Sequence, residues 1–405
     1  MKPSIRKNFI YNNIYTLTTI AVPLITYPYL TRILGPIGIG KFSFLTSYTN
    51  YFVLLSSLGL PIYGVREIAK VRDNKVLLDK TFSELFVLNF IMSIFVFFLL
   101  GLSLSFPSIL SNENKMKYFS LAFLSISFLK VDWLFKGLEK YNIITLINIF
   151  TRVGLVVSIF YFINAKTDYW IYYAITVAAH IILSILFFVI SLKHVNIKFS
   201  NLNFNKHLRP LFLIFASVLA ISVYDFLDMV ILGYISTASE VGFYTVSMKV
   251  VRITLSIVTS LSVVIMPRMS YYLKKNDIKA FYDIFNNSIH FISLISLPAL
   301  IGIILLAPNI IGLFAGDSFI PAINLLICLA FLIIIIGYSN LLGTQLLIPS
   351  GKEKYYLYCV SIGAFINLLL NFILIPHYNA LGAVVATLIS AISVFLASLY
   401  YSQKD

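Results

Sequence analysis

The sequence contains few charged side chains. Asp, Glu, Lys and Arg make up only 11% of its 405 residues, whereas about a quarter of the residues of an average soluble domain are charged. Hydrophobic residues reach 60%, and the mean hydropathy is +0.93. A chain of this composition cannot cover its folded surface with polar groups in water. The composition therefore excludes a soluble protein and indicates an integral membrane protein.

Cysteine is also scarce, and long polar segments are absent. The two cysteines, Cys328 and Cys359, lie in apolar stretches, so they predict small apolar packing and not a disulfide framework or a metal cluster. No metal or cofactor is expected. No loop is long enough to hold a soluble catalytic domain, which argues against a membrane enzyme such as a glycan polymerase or ligase. Strand-like alternation is lacking as well, and this favours a helical bundle.

Apolar segments of membrane-spanning length recur along the whole chain. A bilayer core about 30 Å thick needs about 20 apolar residues per helix. We predict an all-α integral membrane protein with about twelve transmembrane helices. The predicted spans are 10–30, 41–60, 84–106, 118–138, 143–164, 169–192, 211–235, 241–266, 285–306, 321–348, 356–375 and 381–401.

The formal net charge of +14 is distributed unevenly among the predicted loops. With the N-terminus on the inside, the inside segments hold 21 of the 30 Lys and Arg, and the outside segments hold five. This bias predicts that both termini are cytoplasmic. Because the basic residues mark topology and no basic stripe lies on a soluble domain, nucleic-acid binding is not expected.

The first two spans are predicted to form a helical hairpin that has a partial copy later in the chain. Gly35, Pro36 and Gly38 interrupt the apolar stretch, and such residues end helices or permit tight turns. Placing Gly40 on Gly242 aligns several other landmarks of the two regions. We therefore expect two six-helix lobes, residues 1–200 and 201–405, in parallel orientation around a central cleft, as in transporters that work by alternating access.

Three segments carry a resemblance to a known family. They are "PLITYPYLTRILGPIGIGKFSF" at 23–44, "LGLPIYGVREIAKVRDN" at 58–74 and, most specifically, "GTQLLIPSGKEKYYLYCVSIGAFINLLLNFILIPHYNALGAVVATLIS" at 343–390. With them the chain resembles the Wzx-type O-antigen and capsule repeat-unit flippases of the multidrug/oligosaccharidyl-lipid/polysaccharide exporter superfamily. Two positions depart from the family pattern: Asn379 stands where glycine is usual, and Ala391 where glutamate is expected.

The resemblance implies a transporter of the bacterial cytoplasmic (inner) membrane. Its cargo would be an undecaprenyl-pyrophosphate-linked oligosaccharide, moved from the cytoplasmic to the outer leaflet for O-antigen or capsule biosynthesis. The implied partners are membrane lipid, the polysaccharide polymerase machinery and a coupling ion, H⁺ or Na⁺. An ion-coupled multidrug or small-cation antiporter of the same superfamily is the alternative. Such an antiporter needs an acidic cavity, yet Asp132 is the one acidic residue that lies away from the ends of the predicted spans in the first half.

Basic residues inside the predicted spans are the candidates for cargo binding. An ionisable side chain within the bilayer is costly unless it is paired or hydrated, and several cations suit a pyrophosphate. We predict substrate binding by Arg152, Lys130, Lys249 and Arg252, with Arg152 near the bilayer midplane. A structural alternative is that Asp132 on the preceding span pairs with Arg152.

Acidic residues and prolines supply the remaining candidates. Asp225 and Asp228 on span seven are spaced to meet Arg252 and Lys249 on span eight, either as a structural ion-pair ladder or as a site where a coupling ion competes. Asp132 belongs to the same group of ion-coupling or structural acids. Pro23 and Pro28 remove helix hydrogen bonds from span one. Together with Arg32 at its outer end, these prolines are the predicted gating elements.

Overall fold

The computed structural model describes residues 5–105, 113–200, 202–222, 226–275 and 277–403. Throughout these residues the regular structure is helical. The helices of the first part of the chain are α1 Ile5–Ser57, α2 Leu60–Val71, α3 Lys75–Ser103, α4 Asn114–Ser127, α5 Asp132–Gly137, α6 Tyr141–Phe162, α7 Tyr169–Ser191 and α8 Asn205–Ser222. The second part contains α9 Asp228–Ile235, α10 Ala238–Lys274, α11 Ile278–Phe314, α12 Ala322–Ala330, α13 Leu332–Asn340, a π-helical turn Leu341–Leu347 and α14 Glu353–Gln403.

The described residues include nine continuous helical segments that are long and apolar enough to cross a membrane. The first segment contains a break at Gly35 and the last a break at Asn379, so each accounts for two predicted spans. The predicted seventh span falls on α8 and α9, on either side of residues 223–225, which lie outside the described residues. The prediction of an all-α protein with about twelve transmembrane helices is therefore confirmed.

The chain divides into two compact units. The first comprises residues 1–34 and 41–219, and the second comprises residues 35–40 and 220–405. The short segment 35–40 thus packs with the second unit although its neighbours on both sides belong to the first.

The break at Gly35 reverses the direction of α1. Gly35 has φ 65°, which a glycine adopts without a steric penalty. Before the break, Tyr11 O accepts a hydrogen bond from Thr145 and the Tyr29 hydroxyl donates to Ile163 O, so this arm runs parallel to α6.

After the break, α1 follows α7 in the same direction. Lys41 bonds to the Tyr169 hydroxyl at 3.4 Å, and Thr49 lies 3.1 Å from the Tyr173 hydroxyl. Since α6 and α7 pack together and are joined by a short connection, they run antiparallel. The two arms of α1 must then be antiparallel as well, which confirms the predicted helical hairpin.

The core of the first unit gathers around α2 and α5. Trp133 on α5 is 1% exposed and stacks on Phe82 of α3 at a ring-centroid distance of 5.4 Å. On α2, an added Cβ at Gly64 would lie 2.7 Å from the Trp133 ring. Glycine at this position therefore lets α2 approach α5 closely enough to bury the indole.

Two spans differ from their predicted bounds. The third begins at Lys75 and not at residue 84, because Asp79 and Glu84 are buried at its start, at 3% and 0% side-chain exposure. The fourth does not continue to residue 138 as one helix. It ends at Ser127, turns through residues 128–131 and resumes as the short helix α5.

The connection between α7 and α8 lies along the start of α3. Asp79 accepts a hydrogen bond from Asn196 N at 3.0 Å, and Glu84 accepts one from Asn203 N at 2.9 Å. The second Glu84 oxygen pairs with Lys206 at 2.7 Å and with His207 Nε2 at 3.0 Å. These contacts satisfy both buried carboxylates and fix the connection to the first unit.

Candidate functional site

A polar cavity of about 260 Å³ lies within the first unit. Side chains from α1, α2, α3, the end of α4, α5 and the turn between α4 and α5 form its wall. The lining residues are Tyr15, Val53, Ser56, Ser57, Leu60, Pro61, Asn89, Ser127, Lys130, Asp132, Trp133 and Lys136. Because the fourth span is interrupted at residues 128–131, a row of charged and polar side chains faces inward here in place of a continuous apolar helix.

The charges on the cavity wall are predominantly positive. Asp132 and Lys136, one turn apart on α5, are paired at 2.6 Å. Asp132 supplies the one carboxylate among the lining residues, and this pair occupies it. The ammonium group of Lys130, in the turn before α5, is therefore not neutralised by an acid from the cavity wall. The lining carries two cations against one anion, which favours an anionic ligand.

Arg152 lies beside this cavity, on α6. Its Nη1 donates to Tyr15 O at 3.1 Å and to the Thr18 hydroxyl at 2.5 Å. The guanidinium carbon is 5.0 Å from the centroid of the Tyr15 ring, and Tyr15 lines the cavity. The structural alternative, in which Asp132 pairs with Arg152, is not what the structure shows, since Asp132 is bonded to Lys136 and Arg152 to α1.

Asn89 and Trp133 are cavity residues that the sequence analysis did not single out. Both are almost fully buried, at 7% and 1% exposure. A tryptophan within the hydrophobic pattern of a membrane span gives no local signal of a site, and one asparagine among many polar positions gives little more. Their contribution depends on α2 packing against α5, which no sequence pattern reports.

The second unit contains a buried carboxylate of a different kind. Asp228, at the start of α9, is 3% exposed. It accepts hydrogen bonds from the Tyr244 hydroxyl of α10 at 2.5 Å, from the Asn371 amide of α14 at 2.6 Å and from the Thr387 hydroxyl of α14 at 2.8 Å. The Asn371 side-chain oxygen, beside them, has no hydrogen-bond partner among the described residues.

Two hydroxyl groups and an amide nitrogen therefore surround the Asp228 carboxylate. Asn371 also bonds to Asn367 Oδ1 at 3.0 Å. Carboxylate, amide and hydroxyl oxygens are ligands for hard cations, and a buried carboxylate can instead take up a proton. Among the described residues, no three His, Cys, Asp or Glu side chains lie close enough together to hold a metal ion. The arrangement can accept a single proton or a small monovalent cation.

The predicted ion-pair ladder is only partly covered by the structure. Asp225 lies outside the described residues. Asp228 meets Tyr244, Asn371 and Thr387, and Lys249 is not among the side chains that contact its carboxylate. Lys249 and Arg252 both lie on α10. The predicted pairing of Asp228 with Lys249 is therefore not found, and substrate binding by the two cations stays a prediction.

The predicted gating residues all lie on the first arm of α1. Arg32 Nη1 donates to Pro28 O at 3.2 Å. Within α1, Gly35 is the residue that departs from helical φ and ψ, whereas Pro23 and Pro28 lie inside continuous helix. The point of reversal is thus the glycine, and a gating role of the prolines stays a prediction.

Helical lobes with charged side chains buried inside them define the class of protein, a multi-pass membrane transporter. The chain belongs to the polysaccharide biosynthesis protein family, whose model matches residues 5–273. A second model, MatE, matches residues 214–373. Membership of this family identifies a transporter of glycan biosynthesis.

Several known proteins are similar over nearly the whole chain. A protein of Escherichia coli (strain K12) called "Putative O-antigen transporter" is 26% identical over 96% of this chain and 94% of its own length. The solved structure of the lipid II flippase MurJ in an inward closed conformation has a TM-score of 0.75 and 16% identity, covering 98% of this chain and 87% of that one.

An inward-facing multidrug resistance MATE family transporter of the MOP superfamily also scores 0.75, with 13% identity, covering 96% of this chain and 94% of that one. At these identities, the two structures show a shared fold.

Proposed function

We propose that the protein flips an undecaprenyl-pyrophosphate-linked oligosaccharide across the cytoplasmic membrane by alternating access. The observation that carries this proposal is the cavity of the first unit, where Lys130 has no acid of the cavity wall to neutralise it. A glycan flippase handles a phosphate group in or near the bilayer, and fixed cations offset the cost of moving that group away from water. The relative named as an O-antigen transporter supports the same cargo.

The cations of the first unit suit a diphosphate in both number and type. Arg152 offers five donors in a planar fork that matches phosphate oxygens, whereas Lys130 offers a compact point charge. Two of the Arg152 contacts are to uncharged oxygens of α1, so its positive charge is hydrogen-bonded but not neutralised there. Tyr15, whose ring contacts the guanidinium, also lines the cavity, so Arg152 adjoins the cavity wall that carries Lys130.

Asp228 is the proposed site of the coupling ion. Its carboxylate has no lysine or arginine among the hydrogen-bonding partners described above, and it is surrounded by neutral donors on three helices. A cation or proton that binds there would change the charge of the network and hence the packing of α9 against α10 and α14. Asp228→Asn should therefore abolish the dependence of export on a cation gradient while leaving the protein folded.

The second candidate function is ion-coupled export of a cationic drug. The MatE match over residues 214–373 and the buried Asp228 favour ion coupling in general. A cationic cargo, however, would meet two lysines and one aspartate in the cavity of the first unit. The charge of the cavity therefore supports an anionic cargo. Entry of the diphosphate end from the inner leaflet would agree with the cytoplasmic side that the positive-inside bias predicts.

The test is surface glycan measured against protein level in whole cells. Removing a charge-assisted hydrogen bond costs about 1.5–3 kcal/mol, so Arg152→Ala and Lys130→Ala should each lower export roughly ten- to a hundredfold, and Arg152→Lys should retain part of it. Lys115→Ala is the matched control, because Lys115 lies over the Trp170 ring away from the cavity. Adding Asp132→Ala to Arg152→Ala should not restore export. Full export by both single alanine variants at normal abundance would refute the proposal.

A further inference from the structure

The cavity of the first unit contains two polar atoms that a diphosphate cannot satisfy together. The side-chain oxygen of Asn89 and the indole nitrogen of Trp133 are shielded from solvent, and neither has a hydrogen-bond partner among the described residues. Both side chains line the cavity. An unsatisfied buried polar group costs about 1–3 kcal/mol, so two of them in one small cavity call for a ligand.

The chemistry of these two atoms is fixed. The Asn89 amide nitrogen points to Phe128 O, at 3.5 Å, which assigns the other amide atom as the oxygen. That oxygen can only accept a hydrogen bond, and the indole N–H of Trp133 can only donate one. The pair therefore requires a ligand that offers both a donor and an acceptor.

This requirement selects among the three parts of a lipid-linked oligosaccharide. A diphosphate has only acceptor oxygens when it is ionised, so it cannot bond to the Asn89 oxygen. A polyprenyl chain has neither donors nor acceptors. Sugar hydroxyls and acetamido groups have both. The carbohydrate is thus the part of the cargo that both orphan atoms can bind.

The position of the pair indicates which sugar is bound. Lys130 lines the same cavity as Asn89 and Trp133, and Arg152 contacts the ring of Tyr15, another lining residue. A diphosphate held by these cations would place its attached sugar beside it. The cavity, at about 260 Å³, is smaller than the roughly 300–1,000 Å³ of pockets that enclose drug-sized ligands. It has room for one sugar ring but not for a whole repeat unit.

We propose that Asn89 and Trp133 bind the sugar attached to the diphosphate and set the specificity for that sugar. The inference rests on the proposed function, and it locates the binding site for the first sugar of the cargo in the first unit. Sites that hydrogen-bond a substrate group discriminate against substrates without it, because their own buried groups are then left unpaired. Discrimination should therefore depend on the two neutral side chains, and overall affinity on the neighbouring cations.

The protein offers a favourable probe, because Trp133 and Trp170 are its two tryptophans. Trp170 lies at the start of α7, over Lys115, so Trp170→Phe leaves Trp133 as the sole indole reporter without altering the cavity. Emission should change when undecaprenyl diphosphate bearing one sugar is added to the purified variant in nanodiscs. Sugar-free undecaprenyl diphosphate should bind with little change in emission.

Binding by the cavity variants separates the two proposals. Trp133→Phe and Asn89→Leu should bind the sugar-bearing lipid about tenfold more weakly than wild type, as expected for one lost hydrogen bond of about 1.4 kcal/mol. Both should bind the sugar-free lipid as wild type does. Equal affinity of both variants and wild type for the sugar-bearing lipid would overturn this inference alone. Failure of wild type to bind either lipid would overturn the proposed function and the inference with it.

Discussion

Tyr244→Phe removes one oxygen atom from the buried network around Asp228 and leaves the ring in place. The Tyr244 side chain is 1% exposed, and its hydroxyl donates to Asp228 Oδ2 at 2.5 Å. The variant therefore keeps the packing of α10 and deletes a single hydrogen bond to the carboxylate. Asp228 would retain the Asn371 amide and the Thr387 hydroxyl as donors.

The magnitude depends on the charge of Asp228. A hydrogen bond to an ionised group contributes about 1.5–3 kcal/mol, and a neutral one about 0.5–1.5 kcal/mol. With the carboxylate ionised, Tyr244→Phe should lower the free energy of unfolding by about 1.5–3 kcal/mol. The Thr387 hydroxyl lies 3.2 Å from the Tyr244 hydroxyl. It already donates its hydrogen to Asp228, so it cannot replace the hydrogen bond that Tyr244→Phe removes.

The assay is thermal or denaturant unfolding of the purified protein in detergent. Tyr172→Phe is the matched control: Tyr172 is 6% exposed, stacks on Phe42 at 3.9 Å and forms no side-chain hydrogen bond with any described residue. It should change stability little. If Tyr244→Phe is as stable as Tyr172→Phe, the reasoning that an ionised Asp228 organises this network is refuted.

Two further predictions concern the first unit. Burial lowers the pKa of His207 below its ordinary value of 6.5, and the hydrogen bond to Glu84 only partly opposes this. Because the unfolded chain takes up the proton first, a lowered pKa of His207 stabilises the fold above pH 6.5, and this stabilisation is lost on acidification. The free energy of unfolding should therefore fall less between pH 7.5 and 5.5 in His207→Gln than in wild type. The same fall in both proteins would contradict the prediction. Cysteines introduced at Lys115 and Lys166 should react with a membrane-impermeant thiol reagent added to intact cells, whereas a cysteine at Lys198 should not. The reverse labelling pattern would show that the predicted topology has the wrong orientation.

Hydrophobic pattern and glycine positions were sufficient to predict the helices and the hairpin of α1. They failed at the start of α3, where the predicted span begins at Glu84 and leaves Asp79 in the preceding loop. Both carboxylates are buried because backbone N–H groups of the α7–α8 connection bond to them. Those partners are more than a hundred residues away in sequence, so no local pattern could have placed Asp79 inside the helix.

The candidate site was predictable in its cations and not in its neutral residues. Lys130 and Arg152 stand out because charge inside a span is rare. The alternative pairing of Asp132 with Arg152 overlooked Lys136. Asp132 and Lys136 are four residues apart, a helical spacing that pairs side chains directly, and the structure shows this local pair. The positions of Asn89 and Trp133 in the cavity wall depend on how α3 and α5 pack together. This packing belongs to the tertiary structure and cannot be read from local sequence.

The segment 35–40 has a consequence for the biosynthesis of the protein. An added Cβ at Gly40 would lie 1.7 Å from Ala238 O, and one at Gly242 would lie 2.2 Å from Pro36 O, so these backbones meet with no room for a side chain. The ribosome makes residue 40 about 200 residues before its partner. At roughly 5–20 residues per second, the tip of the first hairpin waits on the order of 10–40 s for the surface that covers it. During that interval the bilayer, its interface or an insertion factor must shelter the tip, and a chain that stops before α10 would leave it uncovered.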